Sequence, residues 1–529
     1  MRAQGASRPP AFDPAPLHID DASFAELAAA NHLSLGIPRQ SSPSGQRVRD
    51  VYLNDPELQR IYPLGLLPAG QLHFLQWLTT HGRVDQSLTD GEILSFLQAS
   101  AKDEPRSLAL TYLLQPAWQQ YFPDALSPSG WMEFRSWILG AYGKHLRAPL
   151  PQSVPVAIPD PNAAKGVNIL SHFCNPSGLQ QAALWAKAAL ERAGLQTSCR
   201  DVPVPRRLIP SDREEWLGLE IFPVTILNHA AEPYFVSGYQ RAGLWRREGV
   251  YRIAYWNWEL EKVPDEWVKV AELVDEIWSP TQFVTEAMRA RMPRPVYRML
   301  PGVEVGRVEK VSRASLNIPE DHVVFLFIFD LHSQIHRKNP IAVLRAFQEA
   351  FRDDDKTTLI IKTSGGDIHS DDLAKCQEAI RGRNVILLHE LMSRARAYGL
   401  IDMADCFVSL HRSEGFGLGL AEAMLMGKPV IATAYSGNLD FMNPDNSLLV
   451  GYELSEINED RPIYSRGNFW AEPSIEQAGA YMRQVYERPE EARARAQRVQ
   501  PEIQRLLSLE SAGQRMRARL EQIATSRRG

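Results

Sequence analysis

From residue 166 to about residue 450 the chain alternates short apolar runs with amphipathic helical segments, which restricts it to parallel strands joined by crossover helices. GVNILSHF opens the series, turns at Cys174-Asn175-Pro176-Ser177-Gly178, and is followed by LQQAALWAKAALERAG, an amphipathic helix stopped by glycine. IFPVTILNH, YRIAYWNW and EIWSP read as further strands, with ELEKVPDEWVKVAELVD as a connecting helix. A hinge is expected near Leu300-Pro301-Gly302-Val303-Glu304. A second unit then begins with HVVFLFIFD and the helix NPIAVLRAFQEAFR, and continues through strands TTLIIKTS, NVILLHE, CFVSL and KPVIAT. Strand alternation is expected to end near residue 450.

The flanks differ. Residues 1–19 are Pro-rich and read as disordered, 20–147 as a helical accessory domain, and 148–164, with five prolines, as an extended linker. Residues 165–304 and 305–485 are the two α/β domains, and 486–529 supply C-terminal helices. No repeat with a period of 20 to 50 residues is evident.

At 529 residues the chain exceeds what one core supports. With 58 Lys and Arg against 63 Asp and Glu, its net charge of −5 argues against nucleic acid as a partner. The four cysteines form no CxxC pair, so neither a zinc site nor a disulfide framework is expected. Neither a secretory signal nor a membrane span is evident, which points to a cytoplasmic protein whose membrane contact, if any, is peripheral at the inner face.

The chemistry concentrates in residues 411–440, HRSEGFGLGLAEAMLMGKPVIATAYSGNLD. Glu414 and Glu422 flank a loop with Gly415, Phe416 and Gly417 that runs into a helix. Missing Cβ atoms and the helix start suit close approach of a phosphate or sugar hydroxyl, and carboxylates accept from vicinal hydroxyls, so the segment reads as a nucleotide-sugar site. Ser436, Gly437 and Asn438 form a second small polar turn. Some 75 residues earlier, FDLHSQIHRKNP places Arg337 and Lys338 before a helix, suited to a diphosphate. Asp353-Asp354-Asp355 follows a helix and reads as a solvated turn. No metal is expected: His172, His229, His389 and His411 belong to no ligand motif.

EGFGLGLAEAMLMGKPVIATAYSGNLDFM resembles the nucleotide-sugar signature of family 4 retaining glycosyltransferases of the GT-B fold, and FDLHSQIHRKNPIAVLRAF resembles their phosphate loop. GVNILSHF, SGLQQAALWAKAALERAG and YRIAYWNWELEKVPDEW are similar to a bacterial polysaccharide and lipopolysaccharide branch. The resemblance covers roughly residues 165 to 490. It implies two facing Rossmann-like domains behind an all-helical N-terminal domain. It further implies that Glu414 reaches donor-sugar hydroxyls beside Phe416 and Gly417, that Glu422 binds ribose, and that Arg337 and Lys338 hold the diphosphate with Gly178 opposite. His332 stands where many relatives carry an arginine, and Glu259 or Asn257 where many carry a histidine. The expected catalytic set is thus Glu414, Arg337, Lys338 and Glu259, with Glu422, Gly415, Phe416, Gly417, Gly178, His332, Ser436, Gly437 and Asn438 binding the donor. The implied reaction moves a hexose or deoxyhexose, mannose- or rhamnose-type first, from a GDP-, dTDP- or UDP-linked donor to a glycan, lipid-linked oligosaccharide or protein. It needs no cofactor, and the helical domain is left to engage a protein partner. The runner-up is a non-catalytic sugar-nucleotide-binding scaffold with a degenerate transferase body.

Overall fold

The computed structural model describes residues 45–146, 149–154, 165–204, 213–366, 368–380, 382, 384–461 and 463–527. The expected disordered segment 1–19, residues 20–44, and residues 148 and 155–164 of the expected linker lie outside the described residues. The chain divides into two compact units, Met1–Lys187 with Gly194–Ile253 and Ala188–Ala193 with Ala254–Gly529.

The alternating region forms two six-stranded sheets of the GT-B fold. The first comprises β1 (Gly166–Ser171), β2 (Gln196–Asp201), β3 (Val224–Asn228), β4 (Tyr251–Tyr255), β5 (Glu276–Ser279) and β6 (Val296–Arg298), in the order β2-β1-β3-β4-β5-β6. The second comprises β7 (Val323–Ile328), β8 (Thr357–Thr363), β9 (Val385–His389), β10 (Cys406–Ser409), β11 (Val430–Thr433) and β12 (Leu448–Val450), in the order β12-β11-β10-β7-β8-β9. Its neighbours pair in parallel, Phe325 opposite Leu359 and Val408 opposite Ile431. Strands covered on both faces need continuous apolar runs, and all seven residues of β8 are buried. Phe325, Phe327, Val343, Phe347, Leu359, Ile361 and Val408 share one core, each large side chain contributing about 1.5–3 kcal/mol by burial.

Strand order reverses between β10 and β7, because β8 and β9 extend the sheet one way and β11 and β12 the other. Loops leaving the two strands at such a reversal diverge and open a crevice at their carboxyl ends. Both sequence segments singled out for chemistry leave the sheet there.

Two elements differ from the sequence reading. The stretch ELEKVPDEWVKVAELVD is helical only over Asp265–Ala271, because Pro264 takes extended ψ and cannot continue a helix from its N-terminal side. Strands also continue past residue 450: β13 (Tyr452–Glu456) pairs antiparallel with β14 (Phe469–Pro473), Tyr452 opposite Pro473 and Glu456 opposite Phe469. This ribbon leaves one side to solvent, Leu454 being 54% exposed, so it lacks the apolar run that marks a sheet strand.

The N-terminal region is helical from Gln46 to Tyr142 and contains a duplication at a spacing of 60 residues, longer than any period considered above. Pro56 and Pro116 each start a short helix, Pro56–Ile61 and Pro116–Tyr121. Gln59 Nε2 donates to Tyr52 O and Leu53 O at 2.9 and 2.8 Å, and Gln119 Nε2 to Tyr112 O and Leu113 O at 3.1 and 3.0 Å. Tyr52 Oη donates to Tyr62 O at 2.7 Å, as Tyr112 Oη does to Phe122 O at 2.6 Å. Phe74 and Phe134 are each fully buried, flanked by Trp77 and Trp137. The repeat is legible in the sequence as well, since Tyr52, Pro56, Gln59, Pro68, Phe74 and Trp77 recur as Tyr112, Pro116, Gln119, Pro128, Phe134 and Trp137, but its period lies outside the range of 20 to 50 residues.

Candidate functional site

Arg337 and Lys338 lie on a short helix, Ile335–Lys338, reached from β7, and Glu414 lies on the loop after β10. At the sheet's reversal point these three meet. Arg337 Nη1 is 3.1 Å from Glu414 Oε2, and Lys338 Nζ donates to Glu414 Oε1. Arg337 Nη1 also donates to Ser413 O at 3.0 Å, while its Nε is buried with no acceptor among the described residues. Glu259 is the fourth charge, 3.8 Å from Arg337 Nη2.

Burial alone pushes the Glu414 carboxyl pKa up, but Lys338 first, then Arg337, outweigh it and hold the group at about 2. Burial likewise lowers Lys338, opposed by Glu414, whereas Arg337 is raised because Tyr464, Glu414 and Glu259 overcome its desolvation. The set is two cations and two carboxylates. A diphosphate entering here would compete with Glu414 for both cations, freeing that carboxylate to accept from sugar hydroxyls.

The backbone around this cluster explains the glycines. Gly417 has φ +88°, a left-handed conformation that starts the helix Leu418–Leu425. A Cβ on Gly437 would lie 2.2 Å from Gly415 O, so the two polar turns close on each other only without that atom. Gly437 N donates to Glu414 O at 2.9 Å, and Glu414 N donates to Ser436 Oγ at 2.8 Å. Asn438 is fully buried, its Oδ1 3.2 Å from His411 Nε2 and its Nδ2 donating to Thr433 O at 3.0 Å. These residues hold Glu414 in place. Gly437→Ala is expected to destabilise the protein by about 1–3 kcal/mol through backbone overpacking, read as a lowered Tm.

Glu422 is buried on the helix Leu418–Leu425 and accepts from Arg394 and, at 3.1 Å, from Tyr398 Oη. Burial raises its pKa against the opposing pull of Arg394 and Tyr398. Phe416 packs on Phe441 with ring centres 5.1 Å apart. His332 Nδ1 is 2.7 Å from Asp330 Oδ1, and its ring meets His369 edge-on at 5.0 Å. Gly178 starts the helix Gly178–Arg192 in the first sheet's unit, with open space where a Cβ would be. Trp256 and Trp258 are buried and pack on Trp267 at 5.5 and 5.0 Å, a core arrangement.

Sequence reasoning missed Tyr464, Arg394 and Tyr398. Tyr464 sits between β13 and β14, fully buried, its Oη donating to Glu259 Oε2 at 3.2 Å and its ring 5.8 Å from that of Trp258. Nothing in the loop sequence marks it, because its partner is 205 residues away. Arg394 and Tyr398 stand four apart on the helix Arg394–Met403, a spacing that places both on one face. Asp353-Asp354-Asp355 lies in the turn after the helix Pro340–Ala350, and Asp355 pairs with Arg483 at 3.3 Å. Among the described residues no group of three or more His, Cys, Asp or Glu side chains is placed to hold a metal ion, and no helix is long and apolar enough to cross a membrane.

Residues 308–500 match the family model described as Glycosyl transferases group 1 and form a glycosyl transferases group 1 domain. A curated relative, the alpha-monoglucosyldiacylglycerol synthase of Streptococcus pneumoniae, is 25% identical over 178 residues, which cover 31% of this chain. The chain spans only 39% of that relative's length. The fold is similar to that of a glycosyltransferase from Rickettsia africae, with a TM-score of 0.52 at 12% identity over 68% of this chain and 99% of the other. It is also similar to sucrose-phosphate synthase from Thermosynechococcus elongatus, with a TM-score of 0.50 at 16% identity over 68% of this chain and 100% of the other.

Proposed function

We propose that the protein is a retaining glycosyltransferase that binds a nucleotide-sugar donor in the crevice at the carboxyl ends of β7 and β10. The observation that carries this reading is the cluster of buried Arg337 and Glu414 with half-buried Lys338 at the reversal point of a glycosyl transferases group 1 domain. Cleaving the donor develops an oxocarbenium-like sugar and negative charge on the departing diphosphate, and cations fixed beforehand in a dry site stabilise that charge without reorganising. Arg337 and Lys338 take this role. Glu414, released as they turn to phosphate, accepts from the sugar, and Glu422 with Arg394 and Tyr398 forms the ribose side.

Attack from the face the diphosphate leaves keeps the anomeric configuration, with the leaving phosphate helping to take the acceptor proton. No protein nucleophile and no metal enter this route. Glu414 and Glu422 are not a glycosidase pair in this reading: Glu414 stands with Arg337 and Lys338 on the loop after β10 and Glu422 with Arg394 and Tyr398 on the following helix, so each takes a different part of the donor. The transferred sugar is a hexose or deoxyhexose and the acceptor a glycan, lipid-linked glycan or protein. The pneumococcal relative is named for a glycosylated diacylglycerol, which supports including a lipid acceptor in the first screen. We place the reaction in the cytoplasm.

The test is a thermal-shift screen of the full chain over GDP-, dTDP- and UDP-sugars, in which a ligand at 100 times its Kd adds about 2.7 kcal/mol of stability. The hit is then assayed for nucleoside diphosphate release, and product stereochemistry is read by NMR. Absence of calorimetric binding by every nucleotide sugar would overturn the enzyme and scaffold readings together; binding without turnover would favour the scaffold.

Tyr464→Phe removes the hydroxyl that holds Glu259 and is expected to reduce kcat/KM by roughly tenfold, as loss of a hydrogen bond to a charged group does, with little change in Tm. Equal kcat/KM in the two proteins would make Tyr464 a packing residue only.

A further inference from the structure

We propose that the cavity at the start of the helix Pro340–Ala350 is a second anion site, taking a phosphoryl dianion that is either carried by a small molecule or free in solution. The cavity has a volume of about 210 Å³ and lies within the second compact unit. Arg337, Lys338 and Glu414 are not among the residues that line it. Local sequence leaves donors there without acceptors. Asn339, with φ +55° and ψ +51°, makes the left-handed turn between the short helix Ile335–Lys338 and the helix Pro340–Ala350, and its side chain forms no capping bond. Asn339 is 4% exposed, and its Nδ2 has no hydrogen-bond partner. Pro340 brings no N–H to the first turn, and Ile341 N has no acceptor among the described residues; the carbonyl four residues before it, Arg337 O, accepts from Arg412 N at 2.8 Å. Asn339 and Ile341 both line the cavity. A buried donor without an acceptor is costly, and an oxyanion supplies one at a helix start whose dipole favours negative charge.

Charge decides which oxyanion fits. The walls carry His336, Arg345, Lys375 and Arg412 against one carboxylate, Glu472. Arg412 is held by Glu472 at 2.6 and 3.1 Å. Lys375 pairs with Asp372 at 2.8 Å and Arg345 with Glu349 at 3.8 Å, but both cations are more than half exposed, where such pairs are weak and a ligand can replace them. His336 is half-buried, and its pKa is lowered first by burial and then by Arg461, Lys375 and Arg412, opposed by Asp372, so the potential at the cavity wall is positive. Donors converging from a backbone N–H, an amide and several cations suit the three terminal oxygens of a phosphoryl group better than the two of a carboxylate. Among the described lining residues there is no Phe, Tyr or Trp to stack on a nucleobase, which favours a small phosphate over a nucleotide. His336 and Asn339 bracket Arg337 and Lys338, so an occupied cavity fixes both ends of the turn that carries these two cations.

The probes are inorganic phosphate and glycerol 3-phosphate, each titrated into the full chain by calorimetry and each expected to bind saturably. Asn339→Asp puts a carboxylate where the unpartnered amide stands and keeps a residue type that tolerates the left-handed turn; it should weaken binding at least tenfold. Lys375→Glu, at an exposed position, should do the same and keeps the test valid if the Asn339 variant folds poorly. Lys338→Ala, in the cluster with Glu414, should leave the phosphate titration within about twofold. Tighter binding of glycerol 3-phosphate than of phosphate supports the site and assigns it to an ester; the reverse order supports it and assigns it to the free ion. No saturable binding of either probe overturns the proposal, as does binding that ignores both Asn339→Asp and Lys375→Glu. Binding abolished by Lys338→Ala also overturns it, because the anion would then sit in the donor crevice.

Discussion

Lys338→Ala is expected to lower kcat for sugar transfer by about 10²–10³-fold, equivalent to about 3–4 kcal/mol of lost transition-state stabilisation. The cation acts on charge that exists only as the donor bond breaks, so kcat carries the loss more than donor KM. Removing Lys338 also leaves Glu414 to Arg337 alone, and part of any change reflects that carboxylate rather than the diphosphate. Comparing Lys338→Ala, Glu414→Gln and the double variant separates the two: a coupling energy near zero would show that the pair acts independently in turnover. Steady-state nucleoside diphosphate release is the measurement, and an unchanged kcat would remove Lys338 from the reaction.

Glu414→Ala has the largest expected effect on stability, about 3–5 kcal/mol, because it removes the carboxylate shared by buried Arg337 and half-buried Lys338 and leaves the two cations only Glu259, 3.8 Å from Arg337. Glu414→Gln keeps the volume and should cost less. The same pairing makes stability depend on pH. The Glu414 carboxyl falls from an ordinary 4.5 to about 2 on folding, so the unfolded chain binds its proton first and the contribution is complete above pH 4.5. As pH falls from 4.5 through 2 that contribution, on the order of 3 kcal/mol, is lost. Urea melts of native protein and Glu414→Gln between pH 3 and 6 check the sign: native stability should drop faster on acidification, and parallel curves would contradict it.

The two α/β units were legible in sequence because parallel strands buried on both faces must be apolar throughout, as TTLIIKT at Thr357–Thr363 is. Glu414, Arg337 and Lys338 stood out because a glycine-rich loop and a cationic turn each have a local signature, and the tertiary structure brings all three together. Tyr464 has no such signature: it comes from a ribbon with one open side and acts on Glu259, far away in the chain. The 60-residue duplication is legible in residues such as Pro56, Gln59, Phe74 and Trp77 that recur at 116, 119, 134 and 137, whereas the equivalent carbonyls held by Gln59 and Gln119 appear only once the helices are placed. By itself, then, the sequence determined the alternation of strand and helix and the residue types at the crevice, since periodicity and backbone freedom are local properties. The tertiary structure decided which charge meets which. Strand order in a parallel sheet is set by crossovers, and it is the reversal between β10 and β7 that carries two loops 76 residues apart to the same buried carboxylate.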